Sequence, residues 1–358
     1  MAHTYDYSFL KDLRVPAGLL TVTNRISEMR VYEESRKVAH SDVFSALADI
    51  AVIQSVKGSN AIEGILTTDE RIEKIVKGNS TPLNRSEMEI AGYRDALRAV
   101  HENHDVMDIS ERTIKGLHRA IGQYTGEGGG EYKVSDNAVL AIDAHGNRTV
   151  RFTPVAAAET PDAMVQLILA FMDAHSDSRI DSMLLIPCFI LDFLCIHPFL
   201  DGNGRVSRLI SLLLMYREGM DAGKYVSFEE QINRTKREYY RSLSTSSRGW
   251  HENQNDYVPF IENFAHTLLS CYMDMNSRFA VVADKKTNKK NRIEAAAVNS
   301  LVPISKKDIA ALLPDVSITT IEARLAELVK EERIVKIGDK RGARYIATGK
   351  PQTAHRNK

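Results

Sequence analysis

Twelve residues constrain this chain more than any other stretch: His197 to Arg208, reading His-Pro-Phe-Leu-Asp-Gly-Asn-Gly-Arg-Val-Ser-Arg. They set a base, an acid, a glycine-framed turn and two arginines within one short segment, which reads as a loop entering a helix. Gly202 and Gly204 let the backbone bend and come close to a ligand, and the N–H groups of the loop and of the first helical turn form an anion site. Arg205 and Arg208, three apart, fall on one helix face, where two guanidiniums repel unless an anion lies beside them. Asp201 supplies the hard oxygen that Mg²⁺ prefers when it bridges phosphates. His197 is the candidate base.

Each of these features has an ordinary explanation when taken singly. A His before Pro is commonly a helix terminus, Asp-Gly-Asn-Gly a turn, and two arginines three apart a solvated face. The eight positions that matter have a joint chance on the order of 10⁻¹⁰ per start site, at about one in twenty per residue type. The conjunction points to function.

At these residues the sequence resembles the Fic family, whose motif is His-x-Phe-x-Asp/Glu-Gly-Asn-Gly-Arg-x-x-Arg, and every fixed position is matched. The resemblance implies a protein adenylyltransferase that moves AMP from ATP, with Mg²⁺, to a Ser, Thr or Tyr hydroxyl of a target protein or of the chain itself. It makes His197 the base that deprotonates that hydroxyl and Asp201 the metal ligand. It also implies that Gly202, Asn203, Gly204 and Arg205 contact the phosphates, that Arg208 holds the γ-phosphate, and that Phe199 is a buried anchor. The related Doc branch, which phosphorylates, is similar but carries a lysine inside its loop where this chain has Gly204 and Arg205, so AMP transfer is the better match. Removal of AMP, or transfer of another phosphate-containing group, is the alternative within enzymes.

A second stretch gains meaning from the same resemblance. Ser59-Asn-Ala-Ile-Glu63-Gly64 is, by spacing alone, a helix end with a glycine stop. Fic proteins with an N-terminal inhibitory helix carry Ser/Thr-x-x-x-Glu-Gly/Asn ahead of the core, which implies that Ser59, Glu63 and Gly64 are regulatory and that Glu63 pairs with Arg208.

Composition excludes more than it assigns. The chain has 358 residues, of which 43% are hydrophobic and 26% charged, enough for a large core and more than one domain. Lys plus Arg and Asp plus Glu both number 47, so no global basic field announces nucleic acid or a membrane surface. Cys188, Cys195 and Cys271 lie in apolar company without metal-ligand spacing and read as reduced core residues of a cytoplasmic protein. The N-terminus lacks the basic and apolar runs of a signal peptide. Met183 to Leu200 is interrupted by Pro187, Asp192 and His197, and reads as a buried helix that holds the loop at its C-terminal end rather than as a membrane span.

Along the chain, helical spacing marks Leu19, Val22, Ile26 and Met29, then Val43, Leu47, Ile50 and Ile53. It marks 87–121 again, with Ser110 as an N-cap. Residues 132–154 carry β-rich runs around His145-Gly146-Asn147, the chemistry of a hairpin. The resemblance makes this hairpin a flap whose edge accepts an extended target segment as an added strand. Helices are expected over Phe228–Leu243 and Tyr257–Met275, while Trp250 should plug the bundle end. Tyr239 and Tyr240 read as amphipathic core aromatics of the first of these helices, and the resemblance implies that one of them lines the adenine.

The basic stretch 284–293 is expected as a linker. Beyond it, helices over Ile304–Leu313 and Ile318–Val329 and strands over Ile334–Ile337 and Ala343–Ile346 follow the order of a winged helix. Its second helix and the Lys340/Arg341 turn are the candidates for DNA contact. Glu322 and Glu327 on that helix oppose a phosphate surface, so a DNA-bound regulator with an ATP-sensing domain and a protein-docking module stand side by side as readings.

Together these readings give a mainly α protein: an N-terminal helical region over 1–100 with the inhibitory helix at about 55–65, a Fic-type core over 101–283 with its flap at 132–154, the linker 284–293, a winged helix over 294–348 and a disordered tail over 349–358. DNA contact and a homodimer stay open, and no membrane partner is expected.

Overall fold

The computed structural model describes residues 3–126, 128–142, 148–283, 288–298, 300, 303–338 and 342–348. The architecture is mainly α, as expected. In chain order the helices of the main body are α1 (Ala17–Ala39), α2 (Ser41–Ile62), α3 (Asp69–Val76), α4 (Arg85–Asn103), α5 (Glu111–Gly122), α6 (Thr160–Ser176), α7 (Ser182–Ile196), α8 (Asn203–Arg217), α9 (Ala222–Tyr225), α10 (Phe228–Arg234), α11 (Lys236–Ser246) and α12 (Val258–Ala283). A two-stranded antiparallel hairpin, β1 (Val139–Ile142) and β2 (Arg148–Phe152), is inserted between α5 and α6, with a bulge between Val139 and Leu140. The His145-Gly146-Asn147 turn lies outside the described residues.

Helix α7 is the axis of the body because its sequence has no polar face. Twelve of its fifteen residues are buried, and its one charged side chain, Asp192, is bonded to the Tyr7 hydroxyl (2.8 Å), the Trp250 indole N–H (2.7 Å) and the Tyr257 hydroxyl (2.9 Å). A buried carboxylate is tolerated only when it is satisfied in this way. The same bonds seat Trp250 as the expected plug, where it stacks on His3. Replacing a buried aromatic of this helix, such as Phe193, by Ala would cost about 3–5 kcal/mol, and the cost would fall directly behind the loop that follows α7. Cys188, Cys195 and Cys271 are buried and unpaired, as read from their neighbours.

Local chemistry sets the ends of the other elements. Ser110 caps α5 by accepting from the Thr113 N–H, as expected, and Thr68 and Asn84 cap α3 and α4 in the same manner. The helix expected over Phe228–Leu243 is two helices, broken at Thr235, whose φ of −106° and ψ of 29° leave the helical region. Neither α3 nor α6 had been anticipated as an element. Helix α2 runs close against α10: a Cβ at Gly58 would stand 2.8 Å from the Glu230 amide nitrogen, so only glycine allows this approach.

The C-terminal region comprises α13 (Lys289–Val298), β3 (Ile304–Ser305), α14 (Lys306–Leu312), α15 (Ile318–Lys330), β4 (Ile334–Ile337) and β5 (Arg344–Ala347), with an antiparallel sheet of order β3-β5-β4. Helix α13 begins inside the stretch expected as linker. Ile304 and Ser305, expected as helix, instead form a strand paired with β5, and Ser305 with Asp308 closes a capping box that starts α14. Arg344 pairs with Asp69 (2.9 Å) and Lys307 with Glu73 (3.0 Å), which ties this region to α3. The Lys340/Arg341 turn and the tail 349–358 lie outside the described residues. Among the described residues no helix is long and apolar enough to cross a membrane.

Candidate active site

The loop between α7 and α8 is built by one left-handed residue at each end. His197 ends α7 at φ 53° and ψ 59°, donating its N–H to the Phe193 carbonyl at 2.9 Å. Gly202 opens α8 at φ 81° and supplies the carbonyl that accepts from the Val206 N–H. Between them Phe199 is fully buried, and the Asn203 side chain closes the loop on its backbone by accepting from the Phe199 N–H (2.9 Å) and donating to the Phe199 carbonyl (2.7 Å). The N-terminus of α8 is thereby left pointing into a cleft of about 940 Å³, lined among others by His197, Asp201, Gly202, Gly204, Arg208 and Tyr240. A helix N-terminus with glycines and an arginine beside it is an anion site.

An anion is already there. The Glu63 carboxylate accepts from Arg208 Nη2 at 2.8 Å, and its Oε1 lies so near Gly204 that an added Cβ would meet it at 2.3 Å. Arg208 itself is 2% exposed and donates twice more to Ser59, from Nε to the hydroxyl (2.8 Å) and from Nη2 to the carbonyl (3.0 Å). Glu63 sits one residue past the end of α2, and Gly64, at φ 79°, turns the chain away. The helix-end reading of this stretch and the expected pairing with Arg208 are therefore both present. Lys236 Nζ donates to the Ile62 carbonyl at 2.6 Å and fastens the same helix end to α11.

Comparison with known proteins bears on these residues. Residues 108–215 match the sequence profile of the Fic/DOC family, a span that contains the whole loop. Residues 108–215 are a Fic/DOC-type domain. A Fido domain-containing protein of Dictyostelium discoideum is 23% identical over 142 residues, 39% of this chain and 93% of that protein. Among solved structures, a Fic family protein from Desulfovibrio desulfuricans superposes with a TM-score of 0.60 at 20% identity, covering 95% of this chain and 98% of the other. A Fic domain-containing signaling protein from Bacteroides thetaiotaomicron reaches 0.57 at 19% identity, covering 72% and 95% respectively. A fragment of Fic-1 from C. elegans reaches 0.52 at 22% identity, covering 72% and 70%. At these identities the structures attest the fold. Fic domain proteins are typically transferases that act on proteins.

Within this domain the electrostatics favour a neutral His197. Burial pushes the His197 pKa down to about 4; the Leu194 carbonyl opposes this, and the charge of Lys133 adds to it. His197 Nδ1 lies 3.2 Å from the Leu194 carbonyl oxygen, so the proton resides on Nδ1 and Nε2 is free to accept. The flap borders the same cleft through Ala138, Val139 and Leu140, with Arg151 reaching across to the Tyr240 carbonyl. Tyr239 and Tyr240 both line the cleft.

Not every motif residue faces the cleft. Arg205 is buried and turned away from the cleft, held by Glu89 (2.6 Å) and Asp201 (3.1 Å), and is absent from the lining. Glu89 on α4 and Asp201 are thus the anions that hold Arg205 here. Asp201 is 82% exposed at the cleft mouth. Among the described residues no group of three or more His, Cys, Asp or Glu is placed to hold a metal ion; one carboxylate beside bound phosphates is nevertheless a usual Mg²⁺ arrangement, since that ion keeps several waters.

Sequence reasoning missed His118. Its ring stacks on Phe199 at 3.8 Å, its Nε2 bonds the Asp201 carbonyl (3.1 Å), and its Nδ1 accepts from the Gly130 N–H (2.8 Å). Burial lowers its pKa, which keeps it in the neutral form that can accept from Gly130. The only signal for it was its place on the apolar stripe of α5, which does not separate a loop support from a core residue.

Proposed function

We propose that this protein transfers AMP from ATP to a hydroxyl side chain of a protein, itself included, and that Glu63 holds the activity low. One observation carries the reading: a carboxylate occupies the anion site at the N-terminus of α8, bonded to Arg208, in the same cleft as a neutral histidine. The Glu63 oxygens stand in for phosphate oxygens.

The chemistry follows from the residues. Neutral His197 accepts the target hydroxyl proton at Nε2 while that oxygen attacks the α-phosphorus of ATP. A phosphorus–oxygen bond forms, the bond to the β-phosphate breaks, and pyrophosphate departs. Loop N–H groups at Gly202 to Gly204 and the positive end of α8 stabilise the phosphate charge that develops. Asp201 would hold Mg²⁺, which when bound neutralises phosphate charge. Arg208 holds the terminal phosphate once Glu63 releases it. The flap presents its strand edge to an extended target segment, so the hydroxyl is positioned without much reading of its neighbours.

The C-terminal region has the element order of a winged helix, and we read it as a protein-facing brace rather than a DNA reader. Every described arginine in it is spent on a carboxylate: Arg292 on Asp315, Arg324 and Arg333 on Glu294, and Arg344 on Asp69. Arginines so occupied do not reach base edges.

The test uses the Glu63→Gly protein with ATP labelled at either the α- or the γ-phosphate. Protein-bound label from the α position alone supports AMP transfer. Label from the γ position would indicate phosphorylation, and label released on a chase with unlabelled pyrophosphate-free buffer would indicate AMP removal.

A further inference from the structure

The catalytic loop is held from behind by one short segment that the motif does not include. Four successive loop carbonyls, those of Ile196, His197, Pro198 and Phe199, are each taken up by Lys133 or Asn137. Lys133 Nζ donates to the Ile196 carbonyl (3.0 Å), and the Lys133 backbone N–H donates to the Pro198 carbonyl (2.9 Å). Asn137 Nδ2 donates to the His197 carbonyl (3.4 Å) and to the Phe199 carbonyl (3.0 Å). Lys133 Nζ also donates to Asn137 Oδ1 (2.9 Å), which locks the two side chains together.

This arrangement is costly to build and so has to be accounted for. Lys133 is 3% exposed and makes no salt bridge among the described residues, its partners being a carbonyl and an amide oxygen. A buried ammonium on neutral acceptors is ordinarily unfavourable. The loop needs it because His197 is left-handed, a conformation that strains a non-glycine residue and persists only when its surroundings over-determine it. Asn137 stands two residues before β1, so the segment that fixes the loop also leads directly into the flap.

We propose that Lys133 and Asn137 are positioning residues that aim His197 and register it against the flap, so that the base and the strand-paired target meet in one geometry. This rests on the reading of His197 as the base. Neither side chain touches the nucleotide cradle, so their loss should act on the chemical step and leave nucleotide binding in place.

The experiment takes the full-length Glu63→Gly protein as parent and adds Asn137→Ala or Asn137→Asp. The aspartate keeps an acceptor for Lys133 but sets a carboxylate against the His197 and Phe199 carbonyls, so it tests the donor without removing the side chain. The expected result is a fall in kcat for AMP incorporation of roughly tenfold to a hundredfold in both variants, the scale of a small misplacement of a reacting group, with the Kd for ATP within about twofold of the parent. Hydrogen exchange at the amides of residues 197–204 should quicken in the same variants. A kcat within about twofold of the parent, or kcat and ATP affinity lost in equal proportion, overturns the proposal. If the parent itself incorporates no AMP, the reading of the base fails separately, and the exchange data alone decide whether the clasp exists.

Discussion

The loop between α7 and α8 and the C-terminal region both carry arginines that pair with carboxylates, Arg205 of the loop with Glu89 and Asp201 among them, but Arg208 of the loop is placed differently. In the C-terminal region the described arginines close on carboxylates of the same chain, and Lys306 closes on Glu322 and Lys290 on Glu327. In the loop, Arg208 is buried to 2% exposure with its guanidinium turned to a cleft and to a carboxylate that lies one residue beyond a helix end. The first arrangement is closed. Under the proposed function, the second is a site whose anion is exchanged for phosphate. A count of basic residues does not distinguish them; the partner of each guanidinium does.

The largest effect expected from breaking this contrast is His197→Ala. Transfer should fall by roughly 10²–10⁴, the usual contribution of a general base, while ATP affinity stays within about twofold, both read from labelled-nucleotide incorporation and calorimetry. Equal loss of both would mean that the loop, like the C-terminal region, is held together by its polar groups rather than poised for chemistry. Next is Asp201→Ala, which should remove activity together with its dependence on added Mg²⁺. Activity that still saturated with Mg²⁺ would place the metal elsewhere.

A smaller but sharper effect lies in the pH dependence. The His197 pKa in the folded protein, about 4, lies below the ordinary value of about 6.5. The base is therefore ready from neutral pH down to about 4, and the acid limb of the rate profile should fall near there. The sign for stability is the opposite of a gain: below about 6.5 the unfolded chain takes up a proton that the folded chain refuses, so this residue destabilises the fold as pH drops. An acid limb near 6.5 would show that His197 is solvated in the working enzyme.

The smallest expected effect is Arg344→Ala. It removes a partly exposed pair with Asp69 and should lower the melting temperature by about 1–3 °C, leaving AMP incorporation by the Glu63→Gly protein unchanged. Salt-dependent binding of the wild-type chain to duplex DNA, with a steep slope, would contradict the closed character assigned to this region.

How legible all this was depended on the range of the contacts. The loop could be read because its base, acid, glycines and arginines lie within twelve residues, and α7 because an apolar stretch with no polar face has to be buried. The hairpin showed through its turn residues, and the split of Phe228–Leu243 did not, because Thr235 is an ordinary helix residue by composition. The turn of Arg205 away from the cleft could not be foreseen: Glu89, which draws it, is more than a hundred positions away and on another helix. His118, Lys133 and Asn137 were illegible for a related reason, since they act on backbone carbonyls and amides and leave no residue-type signature in the sequence they support. Ser59 and Glu63 were read from resemblance alone, and the structure shows why spacing was mute: Glu63 also serves as an ordinary helix end.

The most direct measurement is the comparison of wild type, Glu63→Gly and Glu63→Gly with Arg208→Ala for ATP affinity and α-labelled AMP incorporation under one set of conditions. With Glu63 in the phosphate position, wild type should be weakly active, Glu63→Gly should gain in both quantities with incorporation rising by up to about a hundredfold, and the double variant should lose both gains because the freed guanidinium is gone. If Glu63→Gly incorporates no more AMP than wild type, the carboxylate is only a helix end, and the account of a restrained transferase is contradicted.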